Sequence, residues 1–346
     1  MNRRAGARTY IHKERGLTLV EMMVALTIGL VLLEGLGTML FSSQRTYRVN
    51  EALARIQENA RYAFQILSRD IRMAGYQGCG GSDVGLNNTL NNATDFFWNF
   101  GVPLEGFEAI GSSAWMPALP SPAGTIPSPL GGRDIIVVRG VDGDENRVLS
   151  HPESSPPGAA DLGVSAGSGL ELGDIVLVAD CVAAAVFQVT HRHMSAGQDI
   201  LAHDTGTGTP GNRTRALGKV YVDGEVMRML TRTYYIRNNP NKIPALYWKR
   251  GTMAAEELIE GVENMQIQYG EDLDGNRSAD VYRSADQVVD WGAVVSVRIS
   301  LLLQSVEDGI VSHPQTYRFN GMTTTATDRR LRRTFSTVIA LRNRTS

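Results

Sequence analysis

The sequence predicts an α+β protein, a long N-terminal helix followed by a large β-rich domain, and three observations carry that prediction. An apolar run from Leu17 to Phe41 holds no Lys, Arg, Asp or Pro. Helix-spaced apolar residues continue beyond it to Ala74. After Gly81, short β-branched runs alternate with Gly/Pro-rich tracts. At 346 residues, 42% hydrophobic and 20% charged, the chain can bury a sizeable core and lies outside the disordered class. Its formal net charge of -2 gives no general attraction to polyanions, so no nucleic acid is expected as a partner.

The first element, residues 1–16, is a basic leader, MNRRAGARTYIHKERG, with Arg3, Arg4, Arg8, Lys13 and Arg15 against Glu14 alone. The second, residues 17–41, is an apolar helix. At about 1.5 Å per residue its roughly 25 residues cover about 37 Å, enough to cross a hydrocarbon core of about 30 Å. The leading cations hold the N-terminus in the cytoplasm and send the rest across. A secretory signal is cut after its apolar run at small residues, whereas Gly16 precedes this one. Glu21 sits inside the run five residues after Gly16, and a carboxylate there costs a few kcal/mol unless partnered. Glu34 is a second carboxylate, on another helical face and read as interfacial.

The order K-E-R-G16-L-T-L-V-E21-M-M-V-A-L closely resembles the class III signal of type IV prepilins and type II secretion pseudopilins. That resemblance implies cleavage by a prepilin peptidase between Gly16 and Leu17, and N-methylation of Leu17 as the new first residue. Leu17 departs from the Phe usual in the family. Cleavage creates an ammonium at the head of an apolar helix, and Glu21 of this or a neighbouring subunit is a suitable counter-charge that sets axial register.

Residues 42–75 read as an amphipathic continuation. Val49, Leu53, Ile56, Ala60, Phe64, Leu67, Ile71 and Ala74 form one stripe, while Arg45, Arg48, Glu51, Arg55, Glu58, Arg61, Arg69 and Arg72 cover the solvated faces. Gly75 and G78-C-G-G81 end it. The stretch S68-R-D-I-R-M-A-G-Y76 resembles PilW-type minor pilins and the J-type pseudopilin.

The remainder, residues 76–346, reads as the β-rich globular domain. Expected strands are 134–139, 174–179, 185–190, 219–222, 232–237, 245–248, 262–269, 293–303 and 335–341, with turn-rich tracts near 111–132, 151–170 and 204–217. The two cysteines leave two readings open, a Cys79–Cys181 disulfide or two buried thiols. The bridge is the expectation for a domain outside the cytoplasm, where closing a loop of roughly 100 residues contributes about 4 to 5 kcal/mol. E271-D-L-D-G-N-R-S-A-D280 places Asp272, Asp274, Asn276 and Asp280 in one Gly-containing turn. A water-facing hairpin is the plainer reading and a Ca2+ site the alternative; the spacing is not an EF-hand, and no cofactor is required. G163-V-S-A-G167 fits a nucleophile-elbow pattern but follows a loop, and His191, His193 and His203 border a Gly/Thr-rich tract as surface histidines.

The resemblance implies a non-enzymatic minor pilin that joins other minor pilins and the major pilin on an inner-membrane assembly platform to initiate or cap a type IV pilus and support motility. It implies a single-pass inner-membrane precursor with a periplasmic domain, then a place at the pilus tip. The D174-I-V-L-V-A-D-C181 strand and L331-R-R-T-F-S-T-V-I-A-L-R-N343 share in it more weakly. The alternatives are a J-type pseudopilin of type II secretion and a membrane-tethered periplasmic enzyme, for which the sequence offers no catalytic constellation.

Overall fold

A computed structural model describes residues 16–78, 85–122, 124–206 and 208–345. A single helix, α1 (Leu19–Arg72), joins the apolar run to the amphipathic stretch without interruption. The chain divides into two compact units, the first ending at Glu51 and the second beginning at Ala52. In the first unit nearly every apolar side chain of the run is exposed, from Leu17 to Phe41. In the second, α1 buries Ala52, Ile56, Ala60, Ala63, Leu67 and Ile71. The stripe therefore runs close to its expected course, with Ala52 and Ala63 taking the places read for Leu53 and Phe64. Small side chains let the helix lie close to the sheet beneath it.

Past the helix, Gly75 adopts φ +68, and a Cβ there would lie 2.8 Å from Pro103 Cγ, so only glycine fits this exit. Gly75 N then donates to Arg139 O at 3.0 Å, tying the helix end to the sheet.

Eighteen strands follow in the described residues. They are β1 (Leu86–Asn88), β2 (Leu104–Ile110), β3 (Ala114–Met116), β4 (Ile135–Ser150), β5 (Leu162–Ser165), β6 (Ile175–Ala179), β7 (Ala184–Gln188), β8 (His191–Ser195) and β9 (Gln198–Ala202). The rest are β10 (Glu225–Asn238), β11 (Pro244–Arg250), β12 (Glu256–Glu260), β13 (Val262–Glu271), β14 (Val281–Arg283), β15 (Val294–Gln304), β16 (Thr316–Phe319), β17 (Met322–Thr325) and β18 (Arg332–Ala340). A short helix, α2 (Arg342–Thr345), ends the chain.

Two long strands organise a 12-stranded sheet. β10 pairs with β4 along one edge, and on its other edge first with β6 and then with β11. β4 likewise receives β2 near its start and β5 near its end. Core clusters gather on this sheet, one around Phe187, Leu201 and Tyr221 and another around Phe107, Val137 and Tyr235. A second sheet runs β14-β13-β15-β18, antiparallel throughout, and β16 and β17 form a separate hairpin.

One expected strand is absent: residues 219–222 form no ladder, and Tyr221 N donates instead to His151 Nδ1 at 2.9 Å. β-branched composition favours a strand only where a neighbouring edge is free to pair. His203 also corrects the surface reading, because it is fully buried, with Nε2 3.0 Å from Ala160 O, while His191 and His193 lie on the exposed β8.

Candidate functional site

The segment expected to be processed stands at the head of the helix. Gly16, Leu17 and Thr18 precede the first helical turn, Leu17 is 79% exposed, and nothing lies within 4 Å of a Cβ built on Gly16. The Gly16–Leu17 peptide is therefore open to an external enzyme, while the leader at 1–15 lies outside the described residues. Glu21 is three residues into α1, and its Oε2 accepts from Thr18 N and Thr18 Oγ1, both at 2.9 Å. Thr18 Oγ1 accepts in turn from Glu21 N at 3.3 Å. This reciprocal capping box satisfies helix-end amides and places a negative charge at the positive end of the helix dipole. The T18-x-x-E21 spacing announces it in the sequence, a signal that the reading of Glu21 as a charge partner passed over.

Deeper in the run, Thr27 Oγ1 donates to Val24 O and Thr38 Oγ1 to Gly35 O, each at 2.9 Å, so the hydroxyls return to their own helix. No hydrogen bond or ion pair engages Glu34 among the described residues.

A buried charge fastens the second half of α1 to the larger sheet. Asp70 is 4% exposed, and its Oδ2 accepts from the Tyr234 hydroxyl and lies 3.2 Å from Arg232 Nε. Arg69 Nε approaches Oδ1 at 3.2 Å, and Arg232 Nη2 meets Asp142 Oδ1 at 2.5 Å. Burial first, and then the neighbouring Asp70 carboxylate, hold the Tyr234 hydroxyl well above its ordinary pKa, so it remains a donor. Nothing in the sequence singles out Asp70, because its buried partners Arg232 and Tyr234 lie far away in the chain.

The acidic turn is as compact as its spacing implies. One ligand oxygen each from Asp272, Asp274 and Asp280 lies within 4.8 Å of the others. Each carboxylate is already engaged: Asp272 accepts from the amides of Gly275, Asn276 and Arg277, Asp280 from that of Leu273, and Asp274 from Asn276 N and Nδ2. Desolvation is the largest single influence on Asp272 and raises it, but the amides of Arg277, Gly275 and Asn276 together outweigh it and hold the carboxyl below the usual range. Asn276 contributes its own Oδ1 to Ser278 N rather than to the carboxylate cluster.

Cys181 is disulfide-bonded. Cys79, the other cysteine of the sequence, lies outside the described residues, but the residue before it is close at hand. A Cβ built on Gly78 would be 3.0 Å from Ala179 Cβ, which brings the chain beside the strand that leads to Cys181.

Comparison with known families matches two segments. Residues 233–343 fit the family described as type IV pilus-assembly protein W, and residues 11–33 fit the prokaryotic N-terminal methylation motif. The first match takes in the end of β10 from Thr233, then β11, β12 and all of the smaller sheet; the second brackets Gly16, Leu17 and Glu21. No curated protein and no solved structure matches.

Proposed function

We propose that this chain, a PilW-like type IV pilin by its two matched segments, serves as a minor subunit that joins other pilins to initiate or cap a pilus. The observation that carries the reading is the open Gly16–Leu17 bond at the head of an exposed apolar helix, inside a matched methylation motif. Cut there, the helix keeps its membrane-spanning length and gains a terminal ammonium one residue before Thr18. Glu21 then has two successive tasks. In the precursor it caps its own helix; in the assembled filament it accepts the ammonium of a neighbour, and the match of charge to charge in an apolar setting fixes axial register.

The folded domain supports a minor rather than a shaft role. Its sheets and long loops make a bulky head, which crowds a shaft of many copies but is easily placed at a tip. The domain is delivered to the periplasm from an inner-membrane precursor and engages the assembly platform through its helix. Pilin-family membership points to a structural component rather than an enzyme.

Two measurements test this reading. Mass spectrometry of the mature chain is expected to find an N-terminus at methylated Leu17; a chain that retains residues 1–16 beside an active prepilin peptidase contradicts it. Deletion of the gene is expected to remove surface pili and twitching; loss of protein secretion with normal pili would assign the subunit to a type II secretion pseudopilus instead.

A further inference from the structure

The seam between the two sheets holds a set of acids that neither processing nor assembly uses. Asp134 lies just before β4, 2% exposed, and serves both sheets at once. Its Oδ1 accepts from Ala109 N on β2 at 3.1 Å, its Oδ2 accepts from Ile267 N on β13 at 2.8 Å, and its own N donates to Met265 O at 3.0 Å. One carboxylate thus joins the larger sheet to the smaller.

Glu108 of β2 stands opposite it across the strands, because the β2–β4 register Phe107↔Ile135 leads directly to this pair and the next amide, Ala109 N, is the one that donates to Asp134 Oδ1. Among the described residues no ion pair engages Glu108 or Asp134. Asp286 approaches from the 3-10 turn Ala285–Gln287, adding negative charge. Glu105 of β2 is already paired with Arg139 at 2.8 Å. Arg133, next to Asp134, directs its guanidinium to Glu263 O and Gly131 O. From β13 comes the Tyr269 hydroxyl, buried and without a partner, seated over Gly106, where a Cβ would fall 2.1 Å from its oxygen. Gly106 and Glu108 share one face of β2, so the hydroxyl sits beside the pair.

We propose that Glu108 and Asp134 share one proton, with neutral Glu108 donating to ionised Asp134, and that this proton makes the cohesion of the two sheets responsive to external pH. Asp134 must stay ionised to hold the amides of Ala109 and Ile267 strongly, and Glu108 can approach it only as an acid. Burial, and then the charge of Asp134, push the Glu108 carboxyl up to about 7; burial pushes Asp134 up to about 6 against the pull of its amide donors. Both folded values exceed the unfolded ones of 4.5 and 3.8, so the folded state holds the extra proton, and the stability it confers is lost as pH rises through about 7. Above that pH two carboxylates face each other across the seam.

The test is denaturant unfolding of the full chain in detergent micelles between pH 6 and pH 8.5, wild type against Glu108→Gln, with an isotope-edited infrared spectrum of the carboxyl region. In the wild type, acidification through pH 7 is expected to raise the unfolding midpoint and to bring up a protonated-carboxyl band. Glu108→Gln, which keeps the donor but cannot lose it, is expected to show neither change and to match the acid-side wild type. Histidine contributions are common to both proteins and cancel in the difference. Identical pH profiles in the two proteins would overturn the proposal. So would a wild-type profile flattened by millimolar calcium or magnesium, which would put a metal ion rather than a proton between the carboxyls.

Discussion

Replacing Tyr234 by phenylalanine asks whether α1 is tied to the larger sheet through a buried charge or merely rests on it. The ring is fully buried, so the change removes one oxygen and leaves the packing volume almost intact. What is lost is a hydrogen bond to a carboxylate that is itself 4% exposed, and bonds to charged groups contribute about 1.5–3 kcal/mol. Asp70 keeps Arg232 and Arg69 at 3.2 Å, which compensates in part, so a loss of about 2 kcal/mol is expected. Asp70→Ala is more severe. It strips Arg232, 3% exposed on its side chain, of one of two carboxylates and leaves the Tyr234 hydroxyl without an acceptor, for a loss of about 3–5 kcal/mol. Urea unfolding of the full chain in micelles, followed by near-ultraviolet circular dichroism, gives both numbers and that of the double variant. The coupling energy from the cycle should reach about 1.5 kcal/mol or more. A Tyr234→Phe effect below about 0.5 kcal/mol, or simple additivity in the double variant, refutes the ionic anchor.

Four further outcomes are expected. Glu21→Ala leaves cleavage after Gly16 unchanged by mass spectrometry but abolishes recovery of the subunit in sheared pili; normal recovery removes the charge-pairing argument. Asp272→Ala strips an acceptor from the amides of Gly275, Asn276 and Arg277 and lowers the denaturant midpoint, equally in EDTA and in calcium; a calcium-dependent stabilisation that the variant lacks would assign a cation to the loop. Reduction of the Cys181 disulfide lowers the unfolding free energy by about 2–5 kcal/mol, read as the shift in denaturant midpoint with and without dithiothreitol. Burial holds His151 and His203 below their ordinary value of 6.5. Their contribution is therefore complete above that value and fades as pH falls through the depressed folded values. In the Glu108→Gln background the midpoint should fall on acidification below pH 6.5, and less so with His203→Phe.

How much of this was legible in the sequence depends on how local each signal is. The processing segment is written in consecutive residues: charge before Gly16, an apolar run after it, a carboxylate at Glu21. The helix periodicity was legible for the same reason. Strands that are buried and β-branched, such as β6, β7, β13 and β15, stood out as expected. β1, β3 and β14 have three residues each, too few to show any period, and exist because a longer neighbour offers them an edge. β4 runs on to Ser150 through the polar D142-G-D-E145, a stretch that reads as a turn, because β10 pairs with it as far as Glu225↔Arg147. The converse holds at 219–222, where apolar residues find no edge. Asp70 and Asp134 were opaque for a different reason: a carboxylate on a helix or at a strand start ordinarily faces water, and only partners remote in sequence, at Tyr234 and Ile267, show that it does not.

The burial along α1 makes the Asp70 anchor weigh more than its size suggests. Of the apolar side chains the helix buries in the second unit, Ala52, Ala60 and Ala63 contribute little area, leaving Ile56, Leu67 and Ile71 as the large ones. At about 1.5–3 kcal/mol for each large side chain, that hydrophobic attachment amounts to roughly 5–9 kcal/mol, so an ionic anchor whose loss costs about 3–5 kcal/mol is comparable to it. Apolar contact tolerates sliding by a helical turn, since alanine fits many positions, whereas a carboxylate held by Tyr234 and Arg232 does not. The anchor therefore fixes the register of the helix on its domain as well as strengthening the attachment. A subunit pulled through its helix during assembly would load this contact directly. Tyr234→Phe should consequently lower incorporation into pili under conditions where Leu17 is still processed and the domain is still folded at equilibrium. Wild-type incorporation in that variant would leave apolar packing alone to carry the load.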